Sequence, residues 1–92
     1  MFLQNKLKRC FQKNEDIIEE EKDRIITLFD PYRRVAIRLS PTGYRIWQLI
    51  DGRRQVSDII EELKKDFEVN EKTICRDVIC FLDKLAKREI IK

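Results

Sequence analysis

The hydrophobic pattern of the chain changes its period at Ser40, and this change constrains the fold more than any other feature. Before it, Val35, Ile37 and Leu39 alternate with other residues, which is the period of a strand with one buried face. After it, apolar residues recur at three- and four-residue spacing, which is the period of a helix. Strands followed by helices predict an α+β domain, because a small sheet needs a cover for its apolar face.

Three short strands are predicted before the change of period. Residues 17–18 lie among acids, residues 24–29 are rich in β-branched and aromatic side chains, and residues 35–39 form the alternating strand. Asp30 and Pro31 predict a turn, since proline fixes φ and a short carboxylate accepts hydrogen bonds from the nearby backbone. Such tight connections predict an antiparallel meander.

Three helices are predicted after the change of period. Ser40 suits the N-cap of the first helix and Pro41 its first position, and Gly52 follows its end. The second helix is predicted to start near Gln55, and Asn70 is predicted to open the third. A short extended segment is expected after the third helix.

The composition argues against an enzyme. The chain has 92 residues, no His and two Gly, so it lacks the commonest general base and both glycine-rich phosphate loops. Cys10, Cys75 and Cys80 form no C-x-x-C pair, and no His can complete a zinc set. The odd cysteine count, with no secretory signal and no membrane-length apolar run, predicts a cytoplasmic protein without a cofactor.

Positive charge is concentrated in two segments, although the net charge is only +3. Residues 1–13 carry four Lys or Arg and no acid, and residues 24–54 carry seven Arg against two acids. Arginine suits fixed-geometry binding of carboxylate or phosphate, but a solvated basic face has the same composition. We expect residues 1–13 to be a basic N-terminal arm, either amphipathic or a weakly packed tail, and residues 14–92 to be the domain.

The third predicted helix has a wide apolar face. Its core stripe spans about 100° on a helical wheel. This stripe consists of Ile74, Val78, Phe81, Leu82 and Leu85. Cys75, Ile79 and Ala86 widen the arc to about 160°. The additional flank is either covered by another part of the chain or lines a groove.

Several motifs together resemble the signature of the PqqD-like family. Residues 39–52 read L-S-P-T-G-x-x-I-W-x-L-x-D-G, which is similar to the family pattern L-[NS]-P-T-[GA]-x-x-[IL]-W-x-L-x-D-G. Residues 56–63 and 77–85 are similar to its V-x-x-I-x-x-x-L and D-V-x-x-F-L-x-x-L helices. The resemblance covers about residues 15–91, and the chain departs from it at Glu89, where the family usually has glycine.

The resemblance implies a winged helix-turn-helix fold, in which a three-stranded antiparallel sheet is followed by a three-helix bundle. It also implies a non-catalytic role in ribosomal peptide biosynthesis, where such domains bind the leader of a precursor peptide for a maturation enzyme. A radical-SAM enzyme or a lasso-peptide leader peptidase is a compatible partner. The leader is expected to add as a strand to residues 34–39, in a groove with helix 71–87. A homodimer through the same edge strand or the arm is also expected, and a membrane partner is not.

An edge strand offers unpaired N–H and C=O groups, so specificity must come from side chains beside it. The predicted docking strand contains Arg34, Val35, Ala36, Ile37 and Arg38. The predicted apolar floor and polar margin on the third helix contain Cys75, Ile79, Leu82, Ala86, Lys72, Arg76 and Asp83. We expect a leader with one or two large apolar residues and at least one acid near Arg34 or Arg38.

The alternative function is nucleic-acid binding by a winged helix, with the third helix in the major groove. The exposed positions of that helix mix Asp77 and Asp83 with Lys72, Arg76 and Lys84. Acids at these positions repel phosphates about as much as the bases attract them. The sequence therefore favours the peptide over the nucleic acid.

Overall fold

The computed structural model describes residues 2–68 and 70–92. The elements in chain order are α1 (Phe2–Leu7), β1 (Ile18–Lys22), β2 (Ile25–Asp30), β3 (Val35–Leu39), α2 (Pro41–Leu49), α3 (Val56–Asp66) and α4 (Glu71–Lys87). The predicted order of three strands followed by three helices is confirmed, and α4 is the third predicted helix. Within the described residues, no helix is both long and apolar enough to cross a membrane.

The three strands form one antiparallel sheet in the order β1-β2-β3, as the meander predicted. Asp23 and Arg24 join β1 to β2 with positive φ angles of 52° and 66°, which matches the right-handed twist of a tight hairpin. Asp30 ends β2 with a carboxylate that accepts hydrogen bonds from the backbone N–H of Tyr32 and Arg33, at 2.9 and 3.1 Å. This buried carboxylate fixes the turn into β3.

The core lies between the inner face of the sheet and the helices. β2 and β3 contribute Ile26, Leu28 and Leu39, and each helix from α2 to α4 contributes an apolar stripe. Trp47 is 4 % exposed, and its indole N–H donates to the Glu19 carboxylate at 2.9 Å. The predicted core position of this tryptophan is confirmed.

The predicted helix starts are present as hydrogen bonds. The Ser40 hydroxyl accepts from the Gly43 N–H at 3.0 Å, and the Asn70 side chain accepts from the Lys72 N–H at 2.9 Å. The backbone N–H of Gln55 donates to the Asp58 carboxylate at 2.8 Å, which caps α3. These local bonds satisfy helix-end donors, so they set where α2, α3 and α4 begin.

The end of α4 keeps the glycine-type geometry without a glycine. Glu89 adopts a positive φ of 59°. The N–H of Glu89 donates to the Ala86 carbonyl and that of Ile90 donates to the Leu85 carbonyl, both at 3.0 Å. This pair of bonds is the Schellman motif, whose left-handed position is usually glycine. At the position where this chain departs from the family pattern, the backbone therefore has a conformation that glycine adopts readily.

The N-terminal segment packs more closely than the predicted weak tail. Phe11 is 4 % exposed within the core. Gln12 and Lys92 exchange two backbone hydrogen bonds, at 2.8 and 2.9 Å, and the Asn14 N–H donates to the Ile90 carbonyl at 2.9 Å. The expectation of weak packing was wrong for these residues because pairing with the segment after α4 fixes them. The division at residue 13 between arm and peptide-binding domain stays a prediction.

Candidate functional site

The sheet has two edge strands, β1 and β3, and the predicted docking strand is β3. This strand is the last in the sheet order, and in the described part of the chain only β2 pairs with it. Val35 and Ile37 are half-buried on its inner face, whereas Ala36 and Arg38 are exposed on the other. The predicted alternation is therefore confirmed, and the strand presents unpaired backbone together with partly accessible apolar side chains.

The charges around this edge are mainly positive. Arg33, which precedes β3, is ion-paired with Glu89 and lies 3.8 Å from the Asp30 carboxylate. Arg34 and Arg38 form no ion pair with the described residues. Two exposed guanidinium groups on an open edge are suited to carboxylates of an added strand.

The two flanks of α4 have different neighbours. Phe81 lies on one flank of the buried stripe, about 120° from Cys75 on a helical wheel. The ring of Phe81 packs against Gly43, and a Cβ built on that glycine would lie 3.3 Å from the ring carbon Cζ. Gly43 is in the first turn of α2, directly after β3. The Phe81 flank is therefore next to the carboxyl end of β3.

The opposite flank of α4 faces the N-terminal segment. Ile79, Leu82 and Asp83 line a small cavity with Lys6 and Phe11. The Lys6 ammonium lies 3.2 Å from the Asp83 carboxylate. A neighbouring cavity of about 510 Å³ is lined by Lys6, Glu71, Lys72, Cys75, Arg76, Ile79 and Cys80. Burial raises the pKa of the Cys75 thiol, with a smaller contribution from the Glu71 carboxylate.

The structure thus separates the predicted site residues into two groups. Residues 35–38 lie together in β3, whereas Arg34 was wrongly predicted in this strand: it lies in the turn before it, with a positive φ of 57°. Most of the predicted α4 residues lie on the flank toward the N-terminal segment, and Leu82 is buried there with 1 % exposure. Ala86 also faces the N-terminal segment, but it lines a separate cavity that includes Arg33, the residue two before β3.

Phe81 was assigned to the core stripe but is only half-buried. The sequence does contain a signal for its position, since Gly43 is a glycine inside a helix and leaves space for a large neighbour.

Comparison with known proteins identifies the family. The family model described as coenzyme PQQ synthesis protein D (PqqD) matches residues 26–91. The chain belongs to the PqqD family. A PqqA binding protein from Gluconobacter oxydans (strain 621H) is 33 % identical over 46 residues, which cover 50 % of this chain. The chain spans about half the length of this curated relative, since the match covers 48 % of it.

A solved structure also resembles this member of the PqqD family. TbiB1 in complex with the TbiA(beta) leader peptide superposes with a TM-score of 0.77 at 22 % sequence identity. The match covers 88 % of this chain and 94 % of TbiB1. At this identity the likeness concerns the fold, and it confirms the predicted α+β architecture. Residues 1–25 lie outside the match to the family model.

Proposed function

We propose that this chain binds the leader region of a ribosomally made precursor peptide and does not itself catalyse a reaction. The leader adds as a fourth strand to the free edge of β3 and is presented there to a maturation enzyme. The observation that carries the proposal is an open edge strand in a PqqD-family fold, with partly accessible apolar side chains on one face and Arg38 exposed on the other. The similarity to a PqqA binding protein and to a protein solved in complex with a leader peptide supports it.

The two faces of β3 give the peptide an alternating pattern. Peptide residues on the inner face meet Val35 and Ile37, which are half-buried and favour large apolar side chains. Peptide residues on the outer face lie beside Ala36, between Arg34 and Arg38. Asp or Glu at these peptide positions favours binding, because the carboxylate lies near the two guanidinium groups. Apolar residues therefore alternate with acids in the segment that pairs with β3.

The α4 wall of the groove includes Phe81, since its ring packs against Gly43 in the first turn of the helix that follows β3. The predicted floor of Cys75, Ile79, Leu82 and Ala86 and the margin of Lys72, Arg76 and Asp83 stay part of the proposal. The accessible side chains beside the N-terminal segment support contact with a peptide that extends beyond the strand. Leu82, at 1 % exposure, lies beneath them in the core.

The test begins with a random library of 20-residue peptides selected by mRNA display on the immobilised protein. Enriched peptides are synthesised with fluorescein, and Kd is measured by anisotropy. Each peptide amide is then N-methylated in turn. Strand addition uses every second peptide amide, so methylation is expected to weaken binding about tenfold or more at alternate positions and little between them. A loss that does not alternate, or no enriched peptide, refutes the proposed mode.

A charge variant tests the outer face of β3. Arg38→Glu is expected to weaken the binding of an acidic selected peptide. The loss of binding free energy is about 2–5 kcal/mol if the pair between Arg38 and the peptide carboxylate is desolvated, and less if the pair is exposed to solvent. Arg24→Glu is the matched control, because Arg24 is exposed in the β1–β2 turn and makes the same change in net charge. Equal affinities of the two variants would contradict the proposed role of Arg38.

Partners beyond the peptide follow from the same proposal. A radical-SAM enzyme and a leader peptidase are both compatible maturation enzymes, and a second copy of the chain competes for the open edge. The exposed surface of α4 gives the nucleic-acid alternative no support, since Arg76 lies 4.0 Å from Asp77. The free cysteines support a reducing compartment such as the cytoplasm.

A further inference from the structure

A cavity of about 460 Å³ lies near the start of β3, between the N-terminal segment and the end of α4. Its rim contains Arg9, Asn14, Arg33, Glu89 and Lys92. Because Arg33 is the residue before Arg34, a strand paired along β3 reaches this cavity when it extends past the start of β3. The volume is within the range of about 300–1,000 Å³ that is usual for ligand pockets.

Half of the cavity lining comes from outside the segment that matches the PqqD family model. Arg9, Phe11 and Asn14 precede that segment, and Lys92 follows it. These residues are held in place by the backbone pairing between the N-terminal segment and the residues after α4, including the two bonds between Gln12 and Lys92. The cavity therefore depends on the position of the N-terminal segment, and not only on the part of the chain that the family model matches.

The rim is positively charged. It contains three cations, Arg9, Arg33 and Lys92, and one acid, Glu89, which is ion-paired with Arg33. Within residues 2–68 and 70–92, Arg9 and Lys92 have no ion-pair partner. The Arg9 guanidinium lies over the Phe11 ring, 4.5 Å from its centroid, and Phe11 is itself fixed in the core. This stacking orients the guanidinium before any ligand binds, which favours a carboxylate.

The base of the cavity is apolar. Phe11 and Ile91 are 4 % and 1 % exposed, and Ala86 is half-buried beside them. A cationic rim above an apolar base suits a peptide segment that combines an acid with an apolar side chain. A polyphosphate or nucleic acid fits this cavity less well, because its phosphate groups gain nothing from contact with the apolar base.

We propose that this cavity is a second subsite for the same leader peptide, and this inference rests on the proposed function. A leader paired with β3 continues past Arg33 and places Asp or Glu on Arg9 and Lys92, with an apolar neighbour against Ala86. The N-terminal segment is then a specificity-determining part of the protein. It selects leaders that carry an acidic segment at the correct distance from the strand.

The test uses the fluorescein-labelled peptides from the mRNA-display selection. Arg9→Glu with Lys92→Glu is expected to raise Kd at least tenfold. Lys92→Glu alone is expected to raise it severalfold, and it leaves the stacking of Arg9 on Phe11 unchanged. Lys8→Glu is the control, because Lys8 is exposed one residue before Arg9 and does not line the cavity; its Kd is expected to change less than twofold.

Truncated peptides separate this inference from the proposed function. Removing from the peptide the acidic segment that lies beyond the strand is expected to weaken binding to the unsubstituted protein. The same truncation is expected to cause no further loss in the double variant, because the truncation and the double substitution remove the same interaction. If the double variant and Lys92→Glu bind like the Lys8→Glu control, the second subsite is wrong. The strand-addition proposal then still stands, provided the alternating N-methyl pattern is present. A selection that yields no peptide overturns both.

Discussion

The left-handed turn at Glu89 gives the sharpest stability prediction for this protein. Glu89 has φ of 59° and occupies the turn position at which the family pattern usually has glycine. A residue with a Cβ pays roughly 1–2 kcal/mol in this conformation. The side chain also forms an ion pair with Arg33, in which both side chains are about half exposed, at 53 % and 55 %. Such a pair contributes about 0.2–1 kcal/mol.

Two substitutions separate these contributions. Glu89→Ala removes the ion pair and keeps the strained backbone, so the free energy of unfolding should fall by about 0.2–1 kcal/mol. Glu89→Gly also removes the ion pair but relieves the strain. After allowing for the greater freedom of glycine in the unfolded chain, we expect Glu89→Gly to be about 1 kcal/mol more stable than Glu89→Ala. In a domain of this size that difference corresponds to about 4–8 °C in Tm.

Urea unfolding followed by the fluorescence of Trp47 measures the difference, since this residue is the one tryptophan in the chain and is buried. Gly52→Ala is the reverse control. Gly52 has φ of 80°, and a Cβ there would lie 3.0 Å from the Gln12 Cγ, so alanine should destabilise by about 1–2 kcal/mol. If Glu89→Gly is no more stable than Glu89→Ala while Gly52→Ala behaves as expected, Glu89 does not have the strained left-handed conformation described above.

Three further predictions concern other parts of the molecule. Phe11→Ala should lower the free energy of unfolding by about 3–5 kcal/mol in urea titrations, whereas a weakly packed tail would give almost no change. Backbone N–H groups of Arg54 and Arg53 lower the pKa of Asp51 in the folded state, so its stabilisation is complete above the unfolded pKa and is lost as the pH falls through the folded pKa. Asp51→Asn should therefore unfold with a weaker dependence on pH below pH 3.8. Because burial raises the pKa of the Cys75 thiol, Cys75 should react with a disulfide reagent at pH 7.5 more slowly than exposed Cys80, as mass spectrometry of partly labelled protein would measure. Equal labelling rates would contradict the burial of Cys75.

The sequence predicts the parts of the fold that local chemistry decides. Alternation in residues 35–39 predicts the exposed and inner faces of β3, and Ser40 and Asn70 predict the starts of two helices. These features depend on neighbours along the chain, so a pattern of spacing is sufficient to find them. For the same reason the acceptor role of Asp30 in the turn is visible before the structure.

The sequence does not predict which long-range neighbour covers each flank of α4. Periodicity shows that Cys75 and Ile79 widen the apolar arc of α4. It does not show whether this flank of the helix faces β3 or the N-terminal segment. That choice is made by Phe11, an aromatic residue of the basic segment, and its burial depends on pairing with residues 90–92. Few local signals mark such a pairing, because its two strands are far apart in the chain.

The two edges of the sheet explain why an acidic peptide would use one and not the other. β1 is fully exposed and contains Glu19, Glu20 and Glu21 in succession, so its edge repels acidic strands and resists uncontrolled pairing. β3 has no acid between its ends and carries Arg38, and Arg34 precedes it; among the described residues neither arginine has an ion-pair partner. The same backbone hydrogen bonds are available at both edges, and charge distinguishes them. The basic cavity beyond Arg33 extends this preference along the peptide, so that binding would require a correctly spaced acidic leader and not simply any extended chain.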